Sequence, residues 1–259
     1  MTECRMTNIA LSNQKGGVGK TTVTFNLAAG LVQRGYTVLV VDNDPQGNLT
    51  SCYLEDPTIL PESANLLRLY TEDAVSPVQP YPVQEKLDLL GADIRLAKVA
   101  EGDFEVIYKL RDGLEAVGRK YDFVLIDCLP SFGFLNLASL NAADKVIIPT
   151  KPAPFSIAGL KDLFETIDRV HRRMNKDLAV VGILLNMIEG RNTRMAKDIE
   201  SVLRERYGDL MFQSTLTKAV KLEESPSFNL PIMEYDPNGK QTQQFLAFVD
   251  ELLSRLEKP

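Results

Sequence analysis

The sequence predicts an α/β fold: a single doubly wound, mostly parallel sheet flanked by helices on both faces. Three observations carry that expectation. Short β-branched runs alternate along the chain with longer segments of helical periodicity. Several of the short runs are apolar almost throughout, as in Val38-Leu39-Val40-Val41, Phe123-Val124-Leu125-Ile126 and Val146-Ile147-Ile148. Strands buried on both faces of a parallel sheet read this way. A glycine-rich loop joins the first such run to the first helical segment. With 259 residues and sheet elements on both sides of its least regular stretch, the chain is expected to be one domain, 1–259.

The strands are expected at Asn8–Ser12, Thr37–Asp42, Leu87–Leu90, Phe123–Asp127, Lys145–Pro149 and Val180–Asn186. Helical patterns fall between them at Lys20–Arg34, Val99–Arg119, Ser156–Met174, Thr193–Tyr207 and Lys240–Leu256. The alternation gives βαβ units with right-handed crossovers. Pro57, Pro61, Pro77, Pro80 and Pro82 break up Leu54–Val83, which is expected to be loops around a short helix near Ser63–Leu69.

Composition excludes several classes. With 44% apolar and 25% charged residues, the chain can bury a core and is no disordered tail. No apolar run approaches the ~18 residues that span a bilayer, and no charged-then-apolar leader with a cleavage site opens the sequence. A net charge of -6 argues against a generally basic nucleic-acid binder, while leaving room for a local basic patch. Cys4, Cys52 and Cys128 are scattered without metal-site spacing, which fits free thiols in a reducing cytosol. His171 is the one histidine, so a histidine metal cage or a Ser-His-Asp triad is not expected; a solvated helix face accounts for it.

The strongest signal is Lys15-Gly16-Gly17-Val18-Gly19-Lys20-Thr21-Thr22, placed between the first strand and the first helix. Glycines let backbone amides approach phosphate oxygens, and the helix N-terminus adds partial positive charge. Lys20 would reach the β- and γ-phosphates and the Thr21 hydroxyl would ligate Mg²⁺. Gln14 stands where the usual phosphate loop has its first glycine, and Lys15 is an additional lysine. In these features the segment resembles the deviant phosphate loop of the ParA/MinD superfamily, and the short Soj-type partition ATPases most. The resemblance implies a P-loop NTPase fold, with Lys15 through Thr22 around the nucleotide. It also implies that Lys15 acts in trans, reaching across a nucleotide-sandwich homodimer.

Two acidic strand ends follow. Asp42-Asn43-Asp44-Pro45-Gln46-Gly47-Asn48 closes the second strand, at the sheet edge where ligands bind. An Asx turn ending a strand is the plain alternative. The stretch resembles the family's D-x-D-P-Q-G-N, which implies that Asp44 positions the attacking water and Asp42 supports the metal shell. Asp127, after four apolar residues, has the Walker B arrangement and is expected to serve Mg²⁺. The family usually continues Cys-Pro-Pro-Ser, where this chain has Cys128-Leu129-Pro130-Ser131. Cys128 is expected to be a packed thiol.

Thr150-Lys151-Pro152-Ala153 has Ala where guanine-reading relatives carry Asp, which favours ATP. The resemblance places Asn186 near the base, and a proline where Thr217 stands. Arg191, Lys218 and Lys221 fall where it implies non-specific DNA binding, and Arg194 and Lys197 lie on the helix that Arg191 enters; a solvated helix face is the alternative. Lys for Arg keeps charge but loses the planar fork. Arg169, Arg172 and Arg173 are a second candidate patch. The C-terminal segment is apolar at helical spacing and partly acidic, so docking on the sheet is expected in place of a basic membrane anchor. Phe134 stands where a cluster cysteine would be required for iron–sulfur electron transfer, so that chemistry is excluded.

Together the resemblance implies a cytoplasmic, Mg²⁺-dependent ATPase of slow intrinsic turnover. It would be nucleoid-associated when ATP-bound and stimulated by a ParB-like adaptor; with so few residues ahead of the phosphate loop, an operator-binding domain of its own is not expected. A membrane-associated positioning ATPase and an ATP-dependent ligase or kinase acting on a small molecule are the alternatives.

Overall fold

The computed structural model describes residues 6–71, 77–131, 133–189 and 194–257. The β-branched runs become β1 Thr7–Leu11, β2 Val38–Asn43, β3 Tyr81–Gln84, β4 Leu87–Leu90, β5 Phe123–Cys128, β6 Lys145–Thr150, β7 Ala179–Ile188 and β8 Met211–Thr217. They form one sheet in the order β3-β4-β2-β5-β1-β6-β7-β8. Every pairing is parallel except the β3–β4 hairpin at one edge. Between the strands run α1 Lys20–Gln33, α2 Asn48–Tyr53, α3 Leu67–Tyr70, α4 Ala97–Ala100, α5 Val106–Val117, α6 Phe134–Ala142, α7 Ser156–Arg173, α8 Arg194–Tyr207, α9 Val220–Glu224, α10 Ile232–Tyr235 and α11 Lys240–Leu256.

The apolar runs are explained by burial from both sides. Along β2, Val38 and Val40 join the core with Leu27 and Leu31 of α1 and Phe248 and Leu252 of α11. Leu39 and Val41 join the opposite core, with Leu110 and Leu114 of α5 and Leu135 of α6. Each such side chain contributes about 1.5–3 kcal/mol relative to exposure. α11 buries Phe245, Phe248, Val249 and Leu252 as expected of a helix docked on the sheet. Its approach to α1 needs Gly30, where a Cβ would lie 2.6 Å from Val249 Cγ2.

Several elements differ from expectation. β8 and β3 are additional strands, at the two edges of the sheet. β8 carries the polar run Gln213-Ser214-Thr215, and Pro82 interrupts the hydrogen bonding of β3. The helix expected over Val99–Arg119 is broken: α4 ends at Ala100 and α5 starts at Val106, with an exposed loop from Glu101 to Glu105 between them. α6, missed from the sequence, follows directly on Gly133. Near Ser63–Leu69 the chain makes a 3₁₀ turn at Glu62–Ala64 and then α3. His171 is exposed at the end of α7, its Nδ1 3.0 Å from the Leu178 carbonyl.

Candidate functional site

Parallel β1, β2, β5, β6 and β7 deliver their C-terminal ends to one edge, so the loops that follow them converge. The loop after β1 holds Gly17 at φ +66° and Gly19 at φ +84°. Both lie in the left-handed region that a side chain disfavours. Gly19 caps α1, and a Cβ there would meet Asn186 Nδ2 at 2.4 Å. Neighbouring strands clamp the loop. Asn186 Nδ2 donates to the Val18 carbonyl at 2.8 Å, and Asn13 Nδ2 donates to the Pro149 carbonyl at 2.8 Å. Asn13 Oδ1 accepts the Lys15 N–H at 2.9 Å. Gly16 is exposed at the mouth and Val18 is buried beneath it.

The two lysines of this loop diverge. The buried Lys20 turns into the loop, its Nζ donating to the Asn13 carbonyl at 3.1 Å and the Lys15 carbonyl at 3.4 Å. Lys15 turns outward, with its Nζ 5.6 Å from the centroid of the Phe155 ring, a residue 75% exposed. Burial lowers the Lys20 pKa, with Asp127 opposing that shift.

Thr21 Oγ1 donates to Asp127 Oδ2 at 2.6 Å, and Thr24 Oγ1 lies 3.4 Å from Asp127 Oδ1. Asp127 and Asp42 are paired in register across β5 and β2. Burial, then the Asp42 charge, pushes the Asp127 carboxyl well above the usual range. Burial also pushes Asp42 up to about 6, against its hydrogen bonds to Thr50 and Asp44. Those bonds give Asp42 a bracing role that its sequence position did not reveal. Its Oδ2 accepts the Thr50 N–H at 2.8 Å and hydroxyl at 2.7 Å, and its Oδ1 accepts the Asp44 N–H at 3.2 Å. Asp44 itself stands on the cavity wall.

That cavity, of about 540 Å³, is lined by Gly17, Gly19, Lys20, Thr21, Thr22 and Asp44, together with Cys128 and Pro130. A second hollow of about 240 Å³ shares Thr22, Met187 and Pro226 with it, and is completed by Asn186, Thr217 and Phe245. The expected base contact of Asn186 competes with its existing bonds: its Nδ2 serves Val18, and its Oδ1 accepts the Met187 N–H at 2.8 Å. Thr217 has a reason to differ from proline, because its N–H donates to Gln244 Oε1 at 3.1 Å. Leu129 packs against the core. The donor set fits a magnesium triphosphate: open amides, a buried ammonium, and a hydroxyl backed by a carboxylate.

The basic residues come from two segments, α8 and the start of α9. Arg194 and Lys197 are exposed on α8. Lys218 pairs with Glu223 at 3.4 Å and Lys221 with Asp236 at 2.7 Å, which mutes that part of the patch. Arg191 lies outside the described residues. Arg172 of the second patch pairs with Asp168 at 2.9 Å. Asn13, Thr24 and Phe155 were missed from the sequence. Asn13 stands beside the motif and could have been found there, whereas Phe155 has no motif of its own.

The AAA-domain family model matches residues 6–180. The chain is 34% identical over 255 residues to the sporulation initiation inhibitor protein Soj of Bacillus subtilis, covering 94% of this chain and 97% of that protein. It is 37% identical over 253 residues to the chromosome partitioning protein ParA of Myxococcus xanthus, covering 95% and 88%. This chain belongs to the ParA family of P-loop ATPases. Among solved structures, the cobyrinic acid a,c-diamide synthase of Mycobacterium smegmatis with bound ADP and magnesium superposes with a TM-score of 0.77 at 30% identity, covering 98% of this chain and 96% of that one. The ParA-family site is that of an ATP hydrolase, with ATP and Mg²⁺ as its cofactors.

Proposed function

We propose that this ParA-family ATPase is a nucleotide-switched homodimer that binds DNA without sequence preference and so positions or segregates a cargo. The cargo would be a plasmid, a chromosome or another assembly. The observation that carries the reading is the divergence of two lysines in one loop, Lys20 turned inward and Lys15 outward. On this reading one ammonium serves the chain's own phosphates, and the other reaches those of a second copy.

In this reading Lys20 and the amides from Gly16 to Thr22 hold the phosphates. Thr21 and Asp127 hold Mg²⁺, with Asp42 bracing the turn beside them, and Asp44 orients the attacking water. Lys15 crosses to the twin subunit, where its charge offsets the repulsion between two phosphate-laden faces. Arg194 and Lys197, with Arg191, Lys218 and Lys221, supply the charge for DNA. Exposed ion pairs such as those of Lys218 and Lys221 are weak, so DNA phosphates can displace the acids. Two copies on one duplex gain avidity that falls with salt. A ParB-like adaptor would speed hydrolysis. The chain would act as one unit, 1–259, in the cytoplasm and on the nucleoid when ATP-bound.

The names of the Soj and ParA relatives support the partition role. Among the described residues no helix is long and apolar enough to cross a membrane, and the apolar face of α11 is used on the sheet. The test is sedimentation with a non-hydrolysable ATP analogue, with and without DNA. Wild type should dimerise and bind DNA, Lys15→Ala should stay monomeric, and Arg194→Glu with Lys197→Glu should dimerise without DNA. A Lys15→Ala chain that dimerises normally refutes the crossing role.

The likeness to the diamide synthase favours a second reading, ATP-dependent activation of a small carboxylate. Turnover that requires a small acceptor and proceeds in a monomer would select it.

A further inference from the structure

We propose that Phe155 is a positioning residue: its ring holds the Lys15 ammonium in the undimerised chain and must release it when a second copy binds. The proposal rests on the reading of Lys15 as the lysine that crosses between subunits.

The Lys15 ammonium shares a loop with the buried ammonium of Lys20, and cannot turn inward without approaching it. Among the described residues no carboxylate lies within ion-pair distance of Lys15, and its contact is the Phe155 ring face at 5.6 Å. Both partners have fixed bases. Asn13 Oδ1 accepts the Lys15 N–H, and Asn13 Nδ2 ties that loop to Pro149 of β6. Phe155 sits in the turn between β6 and α7. Ser156 Oγ donates to the Lys151 carbonyl at 2.6 Å and the Ser156 N–H to Ala153 at 2.9 Å, while the Phe155 carbonyl accepts the Gly159 N–H at 3.2 Å. The ring is therefore presented by the turn that follows the strand clamping the lysine's own loop.

The chemistry of the hold matters. A carboxylate in this place would neutralise Lys15 and compete with an incoming triphosphate. A ring face attracts the cation weakly and leaves its charge available. Phe155 thus orders a long side chain beside the phosphate loop without spending its charge, and a triphosphate carried by a second copy outcompetes it. Each dimer breaks two such contacts. At an exposed site one is equivalent to roughly a two- to fivefold change in an equilibrium constant, so the pair opposes dimerisation by roughly four- to twenty-five-fold.

The experiment compares Phe155→Leu, which keeps an apolar side chain without a quadrupole, with Phe155→Trp, which strengthens it. In the nucleotide-free chain with ¹³C-labelled lysine, the Lys15 ε-methylene should show an upfield ring-current shift that Phe155→Leu abolishes. With a non-hydrolysable ATP analogue, Phe155→Leu should tighten the dimer roughly four- to twenty-five-fold and Phe155→Trp should loosen it. A Phe155→Leu dimer of unchanged or weaker affinity overturns the proposal, as does a lysine spectrum indifferent to the substitution. Lys15→Ala separates the two ideas. If it dimerises normally, the crossing role itself is wrong. If it stays monomeric while Phe155→Leu matches wild type, only the hold by Phe155 is refuted.

Discussion

Thr21 donates its hydroxyl to Asp127 Oδ2 at 2.6 Å, joining the first turn of α1 to the end of β5. The bond aims a hydroxyl oxygen and a carboxylate at the same point beside the phosphate loop. Thr21→Ala should lower Mg²⁺ affinity about ten- to a hundredfold. In that variant, chelating the metal should barely change nucleotide affinity, whereas in wild type it should weaken ATP binding strongly. Titrating a fluorescent ATP analogue with and without EDTA reads the difference.

Asp44 lines the cavity, and its Oδ1 accepts the Gln46 N–H at 2.9 Å, so its second oxygen is available to water. Asp44→Ala should bind ATP normally while turnover falls roughly 10²- to 10⁴-fold, with an ATP-loaded dimer accumulating. Phosphate release with parallel size-exclusion chromatography checks both halves. Lys20→Ala, by contrast, should fail to bind ATP at all.

Burial alone would raise the Glu251 carboxyl, but hydrogen bonds from the Ser214 and Gln213 amides and from Arg255 outweigh it and hold it below its ordinary value. A depressed acid stabilises the fold above its unfolded pKa, and that contribution is lost as pH falls through the folded value. Glu251→Gln should therefore cost about 1 kcal/mol at pH 7, allowing for solvent screening. The difference from wild type should disappear on acidification below the ordinary glutamate range. Urea denaturation at several pH values provides the comparison.

Gly30 lets α11 approach α1, with Val249 and Met233 filling the space where a side chain would go. Gly30→Val should destabilise the protein by about 1–3 kcal/mol through overpacking. Adding Val249→Ala should recover part of that loss, so the two substitutions are expected to be non-additive. Thermal melts of the two single variants and the double variant measure the coupling.

What could be read from the sequence was what depends on neighbours in the chain. The phosphate loop is a local device, and β4 and α11 begin and end where their periodicity does. β8 stayed hidden because an edge strand needs apolar residues on only part of its surface, and Gln213, Ser214 and Thr215 blur its alternation. α6 stayed hidden because its polar residues Asn136, Ser139 and Asn141 are buried along with Leu135, Ala138 and Leu140, so polarity does not mark an exposed face. In the site, the acids and lysines announced themselves. Their settings did not, since Asp42 with Thr50 and Lys15 with Phe155 are relationships that only folding creates.

Asp42 and Asp127 stand abreast on adjacent strands, both buried. On the reading proposed for the site, a magnesium nucleotide that binds only the folded form would offset the repulsion within that pair of acids. Resistance to heat then becomes a gauge of loading: a hundredfold excess over the dissociation constant adds about 2.7 kcal/mol. Vacant molecules should be the first lost to warming or to a protease, and the survivors of either challenge should be enriched in charged ones.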